Sequence, residues 1–192
     1  MTNSNPTWRE VKTVVADWNE DQLRGLVQDL YRLNAGNAEF LHARLFVGSD
    51  AAQTLEPFKK RIKLAVSPSE PWKRGVRLSE GRKAISDFKK ANGNISDLLA
   101  LMVYYVQCGN DFTLEFGDID EAFYDSLCSM VDQIKKLLIK ENDVGLAAKF
   151  IPLLEKEFER IDGQMGWGYP DELGEQVAEL KGRFTTTAAG KV

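Results

Sequence analysis

The side chains able to do chemistry are few, and their spacing limits what each can do. His42 is the single histidine. A Ser-His-Asp or Cys-His constellation would have to use it. No serine stands in a G-x-S-x-G turn, and no other His or Cys stands at ligand spacing from His42. A zinc centre needs about four N, S or O ligands, so no metal is expected. Cys108 and Cys128 lie in apolar helical contexts and are expected as reduced core thiols of a cytosolic protein. There is no phosphate-binding G-x-x-x-x-G-K-[ST] loop, and Gly166-Trp167-Gly168 has the G-x-G form without a preceding strand. No catalytic residue is assigned, no cofactor is expected, and an enzyme is the less favoured reading.

Three clusters remain. The densest carboxylate run is Asp111, Glu115, Asp118, Asp120, Glu121 and Asp125. An EF-hand needs carboxylates at loop positions 1, 3 and 5 and glycine at 6. Counted from Asp118, position 5 is Ala122 and position 6 is Phe123. Helix caps and a solvated face account for the run instead, with Asp118 and Glu121 spaced as a capping box. The basic cluster comprises Lys59, Lys60 and Lys63 on one helix and Arg82, Lys83, Lys89 and Lys90 on another. Residues seven apart share a helical face. The two helices could merge these cations into a patch for a phosphate backbone, with Trp72 placed to stack on a base. The alternative is a solvated face that pairs with acidic side chains. In the third cluster, Gly166 to Pro170, Trp167 and Tyr169 either form a partner surface or plug the fold.

Net charge conceals a strong segregation. The whole chain of 192 residues carries −4. Residues 1–55 hold 5 basic and 7 acidic side chains, a balance of −2. Residues 56–93 hold 11 and 4, a balance of +7; residues 94–192 hold 9 and 18, a balance of −9. The question raised is whether the positive middle meets the chain's own negative end or something else's.

The elements that must position these residues read as helices almost throughout, because apolar residues recur with period 3.6 and not with period 2. Thr7 and Glu10 form a capping box ahead of Trp8, Val11, Val15 and Trp18 on one face. Asn19 caps the next helix, with Leu23, Leu26, Val27, Leu30 and Leu33. After a turn, Asn37 is expected to cap a short helix with Phe40, Leu41 and Leu45. Gly48 to Asp50 breaks it, and a helix with Leu55, Phe58, Ile62 and Val66 follows. Residues 67–75 read as the longest loop. Ser79 caps a helix ended by Asn92 and Gly93, and Asn94 opens the most apolar helix, expected at the centre. A helix with Phe123, Leu127, Met130, Val131, Ile134, Leu137 and Leu138 has the cleanest stripe. Asp143 caps another, in which Pro152 predicts a kink or break. The last helix carries Leu173, Val177, Leu180 and Phe184.

This pattern predicts an all-α chain of about eight antiparallel helices. A superhelix-like α-α array is the first expectation and a compact orthogonal bundle the alternative. Residues 1–184 are expected as one domain and 185–192 as a flexible tail. The most apolar stretch, Ile95 to Val106, is about half the length needed to span a bilayer, so no membrane association is expected. The first six residues lack both a basic and an apolar signal-peptide region.

Several of these pieces together resemble an uncharacterised bacterial family of small helical proteins, a domain of unknown function. They are Asp29-Leu30-Tyr31; Asn37 with Phe40, Leu41, Ala43, Arg44 and Leu45; Ile85 to Ala91; and Leu101 to Val106. Gly117 to Glu121 with Phe123, Tyr124, Ser126 and Leu127 follows, then Gly166-Trp167-Gly168-Tyr169. The resemblance covers most of residues 20–140 and that loop. It implies a cytoplasmic bacterial protein without an assigned activity and supplies no catalytic residues. Many amphipathic helices, no catalytic constellation and segregated charge give the functional expectation of a non-catalytic helical scaffold or protein-interaction module that binds a protein partner or itself. The alternative is a nucleic-acid-associated regulator using the basic segment 56–93.

Overall fold

The computed structural model describes residues 5–46, 51–92 and 94–189. Among these residues it is all-α, with ten helices: α1 (Trp8–Val15), α2 (Glu20–Leu33), α3 (Ala35–Leu45), α4 (Ala51–Val66), α5 (Pro71–Arg74), α6 (Leu78–Ala91), α7 (Ile95–Phe116), α8 (Glu121–Glu141), α9 (Val144–Ile161) and α10 (Tyr169–Ala189). α7 is the centre, as its two-sided apolar pattern predicts. It packs against α4, α6, α8 and α9, and Leu99, Leu101, Tyr105 and Val106 are fully buried in it. α10 closes the far side by lying on α8 and α9.

One close approach depends on glycine. Gly109 of α7 is buried against Leu127 of α8, and a Cβ at that position would collide with the Leu127 side chain. Lacking a Cβ, Gly109 lets the two helices meet backbone to side chain, which offsets the helix propensity it forgoes.

Local chemistry sets the helix ends. The capping boxes at Thr7/Glu10 and Asn19/Gln22 are both formed. Asn94 caps α7 through the Asp97 N–H, and Asp143 caps α9 through the N–H groups of Gly145 and Leu146. Three caps differ from the sequence expectation. Asn34, not Asn37, caps α3 and accepts from the Asn37 N–H at 2.9 Å. Asn37 instead donates its side-chain amide to the Leu30 carbonyl at 2.8 Å, sealing the end of α2. α6 begins before Ser79, at Leu78, because the Arg77 N–H is tied to the Ala65 carbonyl at 2.8 Å. Asp120, not Asp118, caps α8, since the Asp118 carboxylate is engaged elsewhere.

The break that Pro152 allowed for does not occur: α9 runs from Val144 to Ile161 with the exposed proline inside it. α10 extends to Ala189, into the segment 185–192 expected as a tail. The predicted loop 67–75 contains the short helix α5. The break expected at 48–50, the glycine at 93 and residues 190–192 lie outside the described residues.

An ion-pair clamp joins α3, α4 and α6. Arg61 donates to Glu39 at 3.1 Å and to Asp87 at 2.7 Å, and Lys83 reaches Asp87 at 2.9 Å. Burial pushes the Asp87 carboxyl up, but hydrogen bonds and charge from Arg61 and Lys83 outweigh it, and the net shift is downward. A depressed folded pKa stabilises the fold above the unfolded value and ceases to do so as pH falls through the folded one. Urea melts across the acid range, below about pH 4, are therefore expected to show a steeper loss of stability for the native chain than for Asp87→Asn. Parallel pH profiles would contradict the clamp.

Candidate interaction surface

The N-terminal helices are amphipathic but almost uncovered. Neither α1 nor α2 contains a buried residue. Among the described residues, α2 packs chiefly on α3, and α3 sits on α4 and α6 through fully buried Ala43. In α1, Trp8 is 73% exposed and Val14 62%; in α2, Leu33 is 71% exposed. Val11, Leu23, Val27, Leu30, Tyr31, Phe40, Leu45 and Phe46 are also exposed in this N-terminal segment. The Tyr31 hydroxyl meets His42 Nε2 at 3.1 Å, and the His42 ring lies 6.0 Å from Phe46. This aromatic row links α2 to α3. Trp18, Gly25 and Leu26 line a shallow groove of about 250 Å³ along α2. Isolated exposed apolar residues are ordinary, whereas many of them on the adjoining helices α2 and α3 mark a candidate interaction surface.

The seven cations singled out in the sequence do not form one patch. Lys59 reaches Glu56 at 3.4 Å and stands over the Tyr104 ring; Lys63 lies 3.8 Å from Asp111. Both face α7. Lys60 and Lys90 are exposed, and Lys83 belongs to the clamp with Asp87. Arg82 and Lys89 line a separate groove of α6 with α7 and α8. Two more cations of that groove, Lys136 and Lys140, escaped sequence reasoning because they sit in the strongly acidic final section. Trp72 is 72% exposed beside Lys73 and Arg74.

The aromatic loop is split by its backbone. Trp167 takes φ +60° and Gly168 φ +68°. The left-handed region is strained for a bulky residue, and here it turns Trp167 outward, 60% exposed, while Tyr169 is fully buried. The expectation of Tyr169 as a partner-binding residue is thereby corrected: its ring plugs the core. Its hydroxyl donates to Asn110 Oδ1 at 2.9 Å, and burial pushes the phenol's pKa far up. Asn110 in turn donates to Glu157 Oε2 at 2.9 Å. Arg160 donates to Glu157 at 2.5 Å and to Asp111 at 2.5 Å. Asp118 pins the same loop, accepting from the Tyr124 hydroxyl and from the Gly166 N–H at 3.2 Å. Those two bonds hold its carboxyl below the usual range.

Within the acidic run, Asp120 caps α8, Asp118 pins the loop and Asp111 pairs with Arg160. No group of three or more His, Cys, Asp or Glu side chains placed to hold a metal occurs among the described residues. Burial pushes the Cys108 thiol up to about 11. Burial, reinforced by Glu172 and Asp125, pushes Cys128 up to about 12. Both thiols are therefore protonated at neutral pH and are poor nucleophiles. No helix among the described residues is long and apolar enough to cross a membrane. Compared with family models, curated proteins and solved structures, the chain matches none.

Proposed function

We propose that the chain is a non-catalytic protein-interaction module of the bacterial cytoplasm that self-associates through α1, α2 and α3. The observation that carries this reading is the uncovered apolar surface of those helices, which have one buried residue, Ala43, among them. A second copy supplies what such a surface lacks, because a two-fold interface pairs one patch with itself. The size is adequate. A standard interface covers about 800 Å² per partner. Trp8, Tyr31, Phe40 and Phe46 are four of the exposed side chains, and a fully covered aromatic buries roughly 150–250 Å². Half of that from each ring, with the exposed Val and Leu side chains beside them, reaches the required range.

The test is light scattering on the eluting full-length chain, beside the double variant Val27→Asp/Leu30→Asp. Both positions are exposed on α2, so circular dichroism is expected to remain unchanged. The native chain is expected to run as a dimer at micromolar concentration and the variant as a monomer. A native chain that stays monomeric, or a variant that still dimerises, would overturn the proposal.

A further inference from the structure

We infer that the groove between α6, α7 and α8 binds an amphiphilic organic anion, a phosphate or carboxylate carried on an apolar chain. The inference goes beyond self-association and does not depend on it. The groove measures about 420 Å³, within the range of small-molecule sites. Its floor is apolar, with Leu98 and Met102 from α7 and Met130 from α8. Arg82, Lys89, Lys136 and Lys140 stand on its walls, and no carboxylate is among its described lining residues.

Arg82 is the side chain that points to a ligand. It is part-buried and held in place: Nε donates to Ser126 Oγ at 3.0 Å and Nη2 to the Ser126 carbonyl at 2.6 Å. The guanidinium lies 5.7 Å from the centre of the Tyr105 ring, and the Tyr105 hydroxyl shares Ser126 Oγ at 2.8 Å. Yet among the described residues neither Arg82 nor Lys89 has a carboxylate partner, whereas Arg61 and Arg160 each have two. A part-buried guanidinium is normally compensated by an anion. Among the described residues, Lys136 and Lys140 pair only with Asp132 and Glu141 of their own helix and are 72% and 78% exposed, so both can turn toward a ligand. A fixed guanidinium without a carboxylate partner among the described residues, above an apolar floor, matches an anionic head with an apolar tail.

Calorimetric titration of the full chain tests this with four probes used below their aggregation limits: decyl phosphate, decanoate, inorganic phosphate and decanol. Saturable binding at one site is expected for decyl phosphate or decanoate, and whichever binds more tightly identifies the head group. Inorganic phosphate and decanol are each expected to bind at least roughly tenfold more weakly, because each lacks half of the recognition. Arg82→Gln is expected to weaken the anionic amphiphile roughly tenfold, and Lys89→Gln, at an exposed position with no structural bond, to weaken it in the same direction. Lys89→Gln keeps the test valid if Arg82→Gln misfolds. Failure of both amphiphiles to bind, equal binding of decanol, or binding indifferent to both substitutions would overturn the inference. The Val27→Asp/Leu30→Asp variant is expected to bind as the native chain does, which separates this outcome from that of self-association.

Discussion

Replacing Glu157 by alanine is expected to cost about 3 kcal/mol of stability, because it breaks a buried charge network and leaves its other members unpaired. Glu157 is 4% exposed and accepts from both Asn110 and Arg160. Without it the amide of fully buried Asn110 loses its acceptor. Arg160, whose Nε is already buried without a partner, retains only the half-exposed Asp111. Asn110 also carries the Tyr169 hydroxyl, so the damage reaches the loop that presents Trp167. For a chain of this size the change corresponds to roughly 10 °C in the melting temperature. Glu157→Gln keeps an oxygen for one donor and is expected to cost less. Thermal melts of the two variants with a Trp fluorescence readout check both points. Equal, small losses would show that the network contributes little.

The second large effect is expected at Phe88→Ala, about 3–5 kcal/mol for deleting a core ring. Phe88 is fully buried in α6 and meets the Phe58 ring of α4 edge to face, centroids 5.2 Å apart. That contact holds together α4 and α6, the two helices on which α3 rests. Its loss is therefore expected to loosen the support of the N-terminal helices as well as the core. Phe88→Leu, which fills most of the volume, is expected to cost under about 1.5 kcal/mol. Denaturant titration of both variants, with dimerisation followed in parallel, tests the coupling. A Phe88→Ala chain that keeps native stability would remove the α4–α6 contact from the core.

Much of the fold was legible because burial leaves a periodic trace. The stripe from Phe123 to Leu138 is the buried face of α8, and the two-sided pattern of α7 is that of a helix packed all round. Periodicity, however, records only that a face is apolar, not what covers it. The stripe Leu23, Val27 and Leu30 reads like that of α8, yet it lies exposed. Charge counting failed at Lys136 and Lys140 for a related reason. A section carrying −9 can still turn two lysines toward Arg82 and Lys89, because a helix distributes neighbours in sequence over opposite faces.

The sequence by itself determined the all-α class, the central helix, and the caps at Thr7, Asn19, Asn94 and Asp143, since each rests on residues within one or two turns of each other. Only the tertiary structure decided which way the long side chains point. It buried Tyr169 on Asn110 and exposed Trp167, drew Asp118 from its cap to the Gly166 loop, and tied Arg82 to Ser126 with no carboxylate partner among the described residues. These outcomes depend on partners tens of residues away, and no local pattern records which of several candidate partners packing brings into reach.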